Sequence, residues 1–374
     1  MSRRVALTVA MVVALVSLCA LSLSAYGAGG RGGGDDEENE SASGDRASNG
    51  QIVFRRYFNA DQTKSAIFTM NPEGSHVSQI THPPKGWKDD VPTWSPDGKR
   101  VAFNRQRVDE SMSRIMLLNL DTGDVREVTH CGPDHGYPRG DPASSGKCVA
   151  DFDPAFSPDG HSIAFRRLLG PDRNCCLIDG IWIIGLDGSD PHQVTNVDPK
   201  LPEKFSDYGP AFSPNGKMLV FDRLREADER HAIFVQPIDS SGSPQDAHRI
   251  TPWKMNCQDH PEFSPDGKQV LYRCLPKGEE GPTNLYWVHP DGTSLHQITH
   301  APAHKQYLGS SFSPSFSEEE GWITVGRTAG YGKEGNADVF RVLLEDGGVV
   351  GKVNLTKSAI WDSGPVWGTH PPVD

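Results

Sequence analysis

The stretch "FSPDGKQVLYRC", Phe263 to Cys274, sets Pro-Asp-Gly between two apolar runs. Ser-Pro-Asp-Gly carries the residues of a type I turn, since Pro fixes φ at the first central position and Gly tolerates positive φ at the last. The flanks should pair as a hairpin. Val270, Leu271 and Tyr272 have the β-branched and aromatic character of a buried strand, and Pro261 to Phe263 supply a short partner.

Close variants recur along the chain. Turn copies are "SPDG" at Ser95, "SPDG" at Ser157, "SPNG" at Ser213 and "SPDG" at Ser264, with "SPSFSEEEG" from Ser313 as a degraded fifth; the spacings are 62, 56, 51 and 49 residues. Apolar triplets follow: "VAF" from Val101, "IAF" from Ile163, "LVF" from Leu219, "VLY" from Val270 and "ITV" from Ile323, while "IVF" from Ile52 has no turn before it. Six third strands such as "GIWIIGL" from Gly180 and six short closing segments such as "HQVTN" complete the pattern. The strand missing at the start is expected from the other end, where "SGPVWG", Ser363 to Gly368, mimics "DDVPTWS" and "DFDPAFS". This arithmetic predicts an all-β fold over 50–374: a six-bladed β-propeller of four-stranded blades, the first blade closed by the C-terminal strand, which leaves no open array ends.

These repeats resemble the WD40-like (PD40-type) propeller repeats of the TolB family, whose signature is an aromatic or apolar residue followed by Ser-Pro-Asp-Gly. The resemblance covers residues 50 to 368 and only the propeller part, because the family's α/β domain ahead of the blades has no counterpart here. It implies a noncatalytic role in binding an envelope protein or peptide.

Ahead of the repeats, Arg3 and Arg4 precede a mainly apolar run from Val5 to Ala25. Residues 1–27 read as a signal peptide, with Ala25-Tyr26-Gly27 at a cleavage position, or as an N-terminal membrane anchor, because the run is long enough to span a bilayer. Either places the rest outside the cytoplasm, periplasmic, secreted or anchored. Residues 28–49 are rich in Gly, Ser and acids and read as a disordered tether. With 37 Lys plus Arg against 49 Asp plus Glu, the net charge of -12 argues against a nucleic-acid partner and suits a cationic one.

In a four-stranded blade the Pro-Asp-Gly turns share one face and the longer loops the other: 131–150, 166–179, 222–231, 273–283 and 326–337. Function is expected on the long-loop face. Acids begin the innermost strands there, and the candidate binding residues at the channel mouth are Asp90, Asp153, Asp207, Asp259, His260 and Asp362. Such a ring would focus negative potential on a cationic partner; the competing reading is that each Asp bonds nearby backbone. His304 and His370 hold places like that of His260, so a divalent cation suits the mouth chemically, but no metal-ligand spacing accompanies them and no cofactor is expected.

Six cysteines follow Cys19, an even number for an oxidising compartment. Cys257 and Cys274 flank their hairpin almost symmetrically and should form a disulfide. Cys131 with Cys148 would staple a long loop, leaving Cys175 and Cys176, with Cys148 to Cys175 as the competing match. Two functions stay open: a noncatalytic envelope binding module, favoured because no local acid/base motif is present, and a metal-assisted propeller enzyme of lyase, lactonase or glycan-cleaving type that uses mouth Asp and His. A peptidase accessory role is not expected, as the sequence holds no Gly-x-Ser-x-Gly elbow.

Overall fold

Three hydrogen bonds set each Ser-Pro-Asp/Asn-Gly hairpin. Ser95 N donates to Arg100 O at 2.9 Å, Gly98 N to Ser95 O at 2.9 Å and Arg100 N to Ser95 Oγ at 2.9 Å, while Gly98 adopts φ 66°. The same pattern recurs at Ser157, Ser213 and Ser264, with Gly160, Gly216 and Gly267 at φ 69°, 69° and 72°. This is the i to i+3 turn expected of Ser-Pro-Asp-Gly.

The structure, a computed structural model, describes residues 50–130, 148–169, 178–195, 204–239, 246–275, 283–300, 311–317, 321–328 and 337–368. The expected signal or anchor, the tether, and Cys131, Cys175, Cys176, His304 and His370 lie outside the described residues; of Cys148 only the backbone is described. All described residues belong to one unit, Asn49–Asp374. Among them no helix is long and apolar enough to cross a membrane.

The strands in chain order are β1 (Ile52–Tyr57), β2 (Ser65–Met70), β3 (Ser78–Gln79), β4 (Trp87–Trp94), β5 (Arg100–Arg107), β6 (Ser113–Asn119), β7 (Val125–Glu127), β8 (Cys148–Phe156), β9 (Ser162–Leu169), β10 (Ile178–Gly185) and β11 (His192–Gln193). They continue with β12 (Phe205–Phe212), β13 (Met218–Arg225), β14 (Arg230–Pro237), β15 (His248–Arg249), β16 (Cys257–Phe263), β17 (Val270–Cys274), β18 (Asn284–Val288), β19 (His296–Gln297), β20 (Ser311–Phe316), β21 (Trp322–Thr328), β22 (Ala337–Glu345), β23 (Gly348–Asn354) and β24 (Asp362–Trp367).

They form antiparallel four-stranded blades: β12 to β15, β16 to β19 and β20 to β23 in order, and β24-β1-β2-β3. Strands β4 to β7 and β8 to β11 form two further such groups, joined into one sheet by the parallel rung Ser113↔Ala150. The fold is thus an all-β propeller built from four-stranded blades, as the repeat pattern predicts, and β24 lies antiparallel beside β1.

The repeated Thr of the closing segments has a structural task. Thr81, Thr129, Thr195, Thr251, Thr299 and Thr356 each accept, through Oγ1, the backbone N–H of the third strand, at 2.9 to 3.1 Å. Each such bond satisfies a main-chain donor that the short outer strand leaves over.

Apolar side chains pack between neighbouring blades. Val53 and Ile67 meet Val101 and Phe103; Ile115 and Leu117 meet Phe165 and Trp182; Ile181 and Ile183 meet Phe221 and Phe234; Ile233 and Val235 meet Val270 and Tyr272; Leu271 and Leu285 meet Ile323 and Val325. Ile52, Phe54 and Phe68 pack with Val339 and Leu355 of the last complete blade. Burying each large side chain contributes about 1.5–3 kcal/mol, so each seam stabilises the pair of blades it joins.

Two readings need correction. Ser313 does not open the degraded turn: Ser313 to Phe316 belong to β20, and Ser317 N donates to Trp322 O at 2.9 Å in the place that Ser95 holds elsewhere. Pro314 thereby takes the inner-strand position of Pro92, Pro154, Pro210, Pro261 and Pro365, a second repeated Pro that competed with the turn Pro in the sequence. Nor is 222–231 a long loop. Strands β13 and β14 run to Arg225 and from Arg230, and Arg225 closes the short turn onto Asp228 at 2.6 and 2.8 Å.

Candidate functional site

Innermost strands lie side by side, β4 beside β8, β8 beside β12, β12 beside β16, β16 beside β20, β20 beside β24 and β24 beside β4. Each carries a register shift next to its Pro. The residue before that Pro sits at positive φ in Val91 (47°), Asp153 (55°), Gly209 (53°), His260 (45°) and Gly364 (59°). Such a bulge breaks the in-and-out alternation and re-aims one side chain.

Alternation before the bulge sends a first set of acids inward. Asp89, Asp151, Asp207 and Asp362 have side chains with no exposed surface, and each accepts a two-pronged bond from an Arg on the neighbouring strand. Arg105 reaches Asp89 at 2.7 and 2.9 Å, Arg167 reaches Asp151 at 2.8 and 3.1 Å, Arg223 reaches Asp207 at 2.6 and 2.8 Å, and Arg56 reaches Asp362 at 2.7 and 2.7 Å. Each guanidinium also lies over a Phe of its own strand, Phe103, Phe165, Phe221 or Phe54, at 5.0 to 5.5 Å. Burial raises Asp89 and Asp362, with their Arg partners opposing. The partner of these acids is therefore an Arg side chain. Its sequence signal is Phe-x-Arg on the strand after the turn, with the Arg 16 residues beyond its Asp in three of the four pairs.

In the blade of β16 to β19 the disulfide takes that rung. Cys257 faces Cys274 across β16 and β17, with an S–S distance of 2.14 Å and Cα atoms 4.0 Å apart, and both side chains are buried.

Asp90 has an Arg from the first blade as its partner. It accepts from Arg55 Nη1, with Tyr57 Oη at 3.3 Å, and the same Arg55 donates to Ser363 Oγ at 2.5 Å. Desolvation raises the Tyr57 phenol.

Three of the predicted residues do meet. His260 Nε2 stands 3.4 Å from Asp153 Oδ1, and His260 Nδ1 stands 3.3 Å from Asp259 Oδ1. Asp153 comes from β8 and His260 from β16, so this contact crosses β12, where Gly209 leaves the gap: a Cβ there would lie 3.0 Å from His260 Cα. Gly209 N also donates to Asp153 Oδ2 at 3.3 Å. Arg273 Nε is 3.1 Å from Asp259 Oδ2, and Asp259 N donates to Asp222 Oδ2 at 3.1 Å, whose other oxygen is 2.8 Å from His231 Nδ1. Beneath them a fully buried pair, Arg166 and Asp179, is bonded at 2.5 to 2.9 Å, with the guanidinium 3.9 Å from the Tyr208 ring centre.

Partial burial disfavours charge on His260, but its hydrogen bonds to Asp153 and Asp259 outweigh this and raise its pKa to about 10. Burial would likewise raise Asp153, and His260 brings it below the usual carboxylate range instead. At neutral pH the trio is an imidazolium bracketed by two carboxylates. Among the described residues, no group of three or more His, Cys, Asp or Glu is arranged to hold a metal ion.

A carboxyl that sequence reasoning passed over lies nearby. Glu262, on β16, accepts from Phe316 N of the next blade at 3.2 Å, and burial pushes it up to about 7, with Ser315 and Phe316 opposing. Raised above the unfolded value, it binds its proton more tightly in the folded state, so stability falls as pH rises from about 4.5 to about 7. Glu262→Gln is expected to gain about 2–3 kcal/mol over the parent at pH 8 and nothing at pH 4, in denaturant unfolding at each pH.

Against known proteins, no protein-family model matches. An uncharacterized protein of Agrobacterium fabrum is 26% identical over 210 residues, 56% of this chain and 58% of that protein. Among solved structures, TolB from Acinetobacter baumannii is 17% identical with a TM-score of 0.60, covering 85% of this chain and 66% of its own. Hydrazine synthase of Kuenenia stuttgartiensis is 14% identical with a TM-score of 0.58, covering 87% and 48%. The chain thus spans less than two thirds of each of these proteins. Its propeller is TolB-like, and at these identities the likeness establishes the fold.

Proposed function

We propose that this is an exported, noncatalytic β-propeller binding module of the cell envelope, which presents its channel mouth and long-loop face to a protein or peptide partner with a cationic group. In this reading the blades number six and close as a ring through β24, residues 28–49 are a tether, and any membrane contact runs through an uncleaved N-terminal segment. The packing of Phe54 and Phe68 on Val339 and Leu355 supports closure. The Cys257–Cys274 bond supports an oxidising compartment.

The observation that carries the reading is the pairing of the mouth. Asp90, Asp153 and Asp259 keep some exposed surface and each stands against an Arg or His, an arrangement that holds charge in fixed positions for recognition. Carboxylates locked in this way are poor proton shuttles, since general acid/base work needs a group free to exchange its proton with substrate.

A photo-crosslinking residue in place of Phe58, exposed between β1 and β2 on the long-loop face, is expected to trap an envelope protein in cells. The same residue in place of His161, whose side chain is 85% exposed on the Pro-Asp-Gly face, is expected to trap none. Equal yields from both faces, or none from position 58, would overturn the assignment.

A further inference from the structure

The cations that pair with the inner-strand and neighbouring acids are held unequally. Arg166 bonds Asp179 at 2.5 to 2.9 Å, and Arg105, Arg167, Arg223 and Arg56 grip their carboxylates with two prongs. His260 is held by single contacts of 3.3 and 3.4 Å, longer than the 2.7–2.9 Å of a strong charge-assisted bond. Its side chain is 41% exposed, whereas those of Asp153 and Asp259 are 12% and 14% exposed. A ring so placed covers the two carboxylates from the solvent side and fills the space a ligand cation would take.

We propose that the group bound at this mouth is an ammonium or guanidinium that displaces His260 from between Asp153 and Asp259, and that one proton leaves for solvent as it binds. This rests on the reading of the mouth as a binding face. Before binding, the two carboxylates neutralise the imidazolium. After binding they neutralise the ligand, and the released ring, now in water, returns to its ordinary pKa near 6.5 and gives up its proton to buffer. The charge of the site is unchanged by the exchange.

Other titratable and charged groups face the ring from the neighbouring strands. On the β8 to β10 side these are Arg166, in bidentate contact with Asp179, and on the β16 and β17 side Arg273, beside Asp259. From β13 and β14 come Asp222 and His231, bonded to each other; β12 offers Tyr208, and Arg55 acts on Asp259 from β1. His260 is the group whose proton the exchange sets free.

Above about pH 6.5, affinity for a cation should therefore rise with pH, by up to about tenfold per pH unit while the held ring stays protonated. The test uses the full chain, in mild detergent and at fixed ionic strength, with a fluorescent acetylated tetralysine amide at pH 7, 8 and 9. The parent is expected to bind with that slope. His260→Gln, checked for folding by its melt, is expected to bind at least about tenfold more tightly at pH 7 and with no slope. Should that variant not fold, calorimetry of the parent in two buffers of different ionisation heat reads the same quantity, one proton released per peptide. Binding without a pH slope, a slope retained in His260→Gln, or no proton release would overturn the displacement and leave the binding face standing. No tetralysine binding by parent or variant would also overturn it, and the cross-linking at position 58 then decides the reading beneath it.

Discussion

A chain ending at Trp361 is expected to lose its single cooperative unfolding transition. The missing strand, β24, pairs with β1 through Ile52↔Trp367, Val53↔Val366, Arg55↔Ser363 and Arg56↔Asp362. Trp367, 7% exposed, packs in the seam with Phe54 and Phe68, and Val366 packs against the opposite seam with Val53 and Phe103. Deleting β24 thus opens two seams at once and strips Arg56 of its buried carboxylate. Two large apolar groups contribute about 1.5–3 kcal/mol each, and breaking a buried ion pair costs about 3–5 kcal/mol. The sum matches the total stability of an ordinary domain, about 5–15 kcal/mol. Tryptophan fluorescence followed during heating separates the cases. A truncated chain that melts as sharply and at the same temperature as the full one would refute ring closure.

The second large effect concerns the inward acids. Asp207→Ala leaves the Arg223 guanidinium, 3% exposed, without its carboxylate among Phe205, Phe221 and Phe234, and should destabilise by about 3–5 kcal/mol. Replacing both partners, Asp207→Leu with Arg223→Leu, should recover most of that loss, because no buried charge remains. Removing Asp228 from its surface pair with Arg225 should cost less than about 1 kcal/mol. Urea unfolding midpoints of the three variants test this ordering. Equal effects at positions 207 and 228 would mean that the buried Asp–Arg rungs carry no special share of the stability.

Asp207 and Asp362 were candidates for the mouth, and their burial shows the limit of a positional argument. Both begin inner strands as expected, yet alternation turns them into the sheet. The Asp–Arg spacing was present in the sequence, but a spacing of 16 has meaning only once the hairpin rung and the one-residue bulge between the partners are known. The degraded copy near Ser313 is ambiguous for a related reason: four inner hairpins carry two prolines, one in the strand and one in the turn, and Pro314, the one retained here, is the strand proline.

What the residues dictated alone is the repeating framework. The turn at Ser95, Ser157, Ser213 and Ser264, the closing Thr, the strand returned from the chain end and the Cys257–Cys274 bond across one hairpin rest on contacts a few residues long or on repetition itself. Such short-range preferences are written directly into residue type. The meeting of Asp153, Asp259 and His260 was left to tertiary structure. Asp151 and Asp153 stand two residues apart and go different ways, one to Arg167 on its own hairpin, the other, past a bulge at φ 55°, to a histidine 107 residues along the chain. That contact exists because three strands from separate blades converge and Gly209 has no side chain to keep them apart.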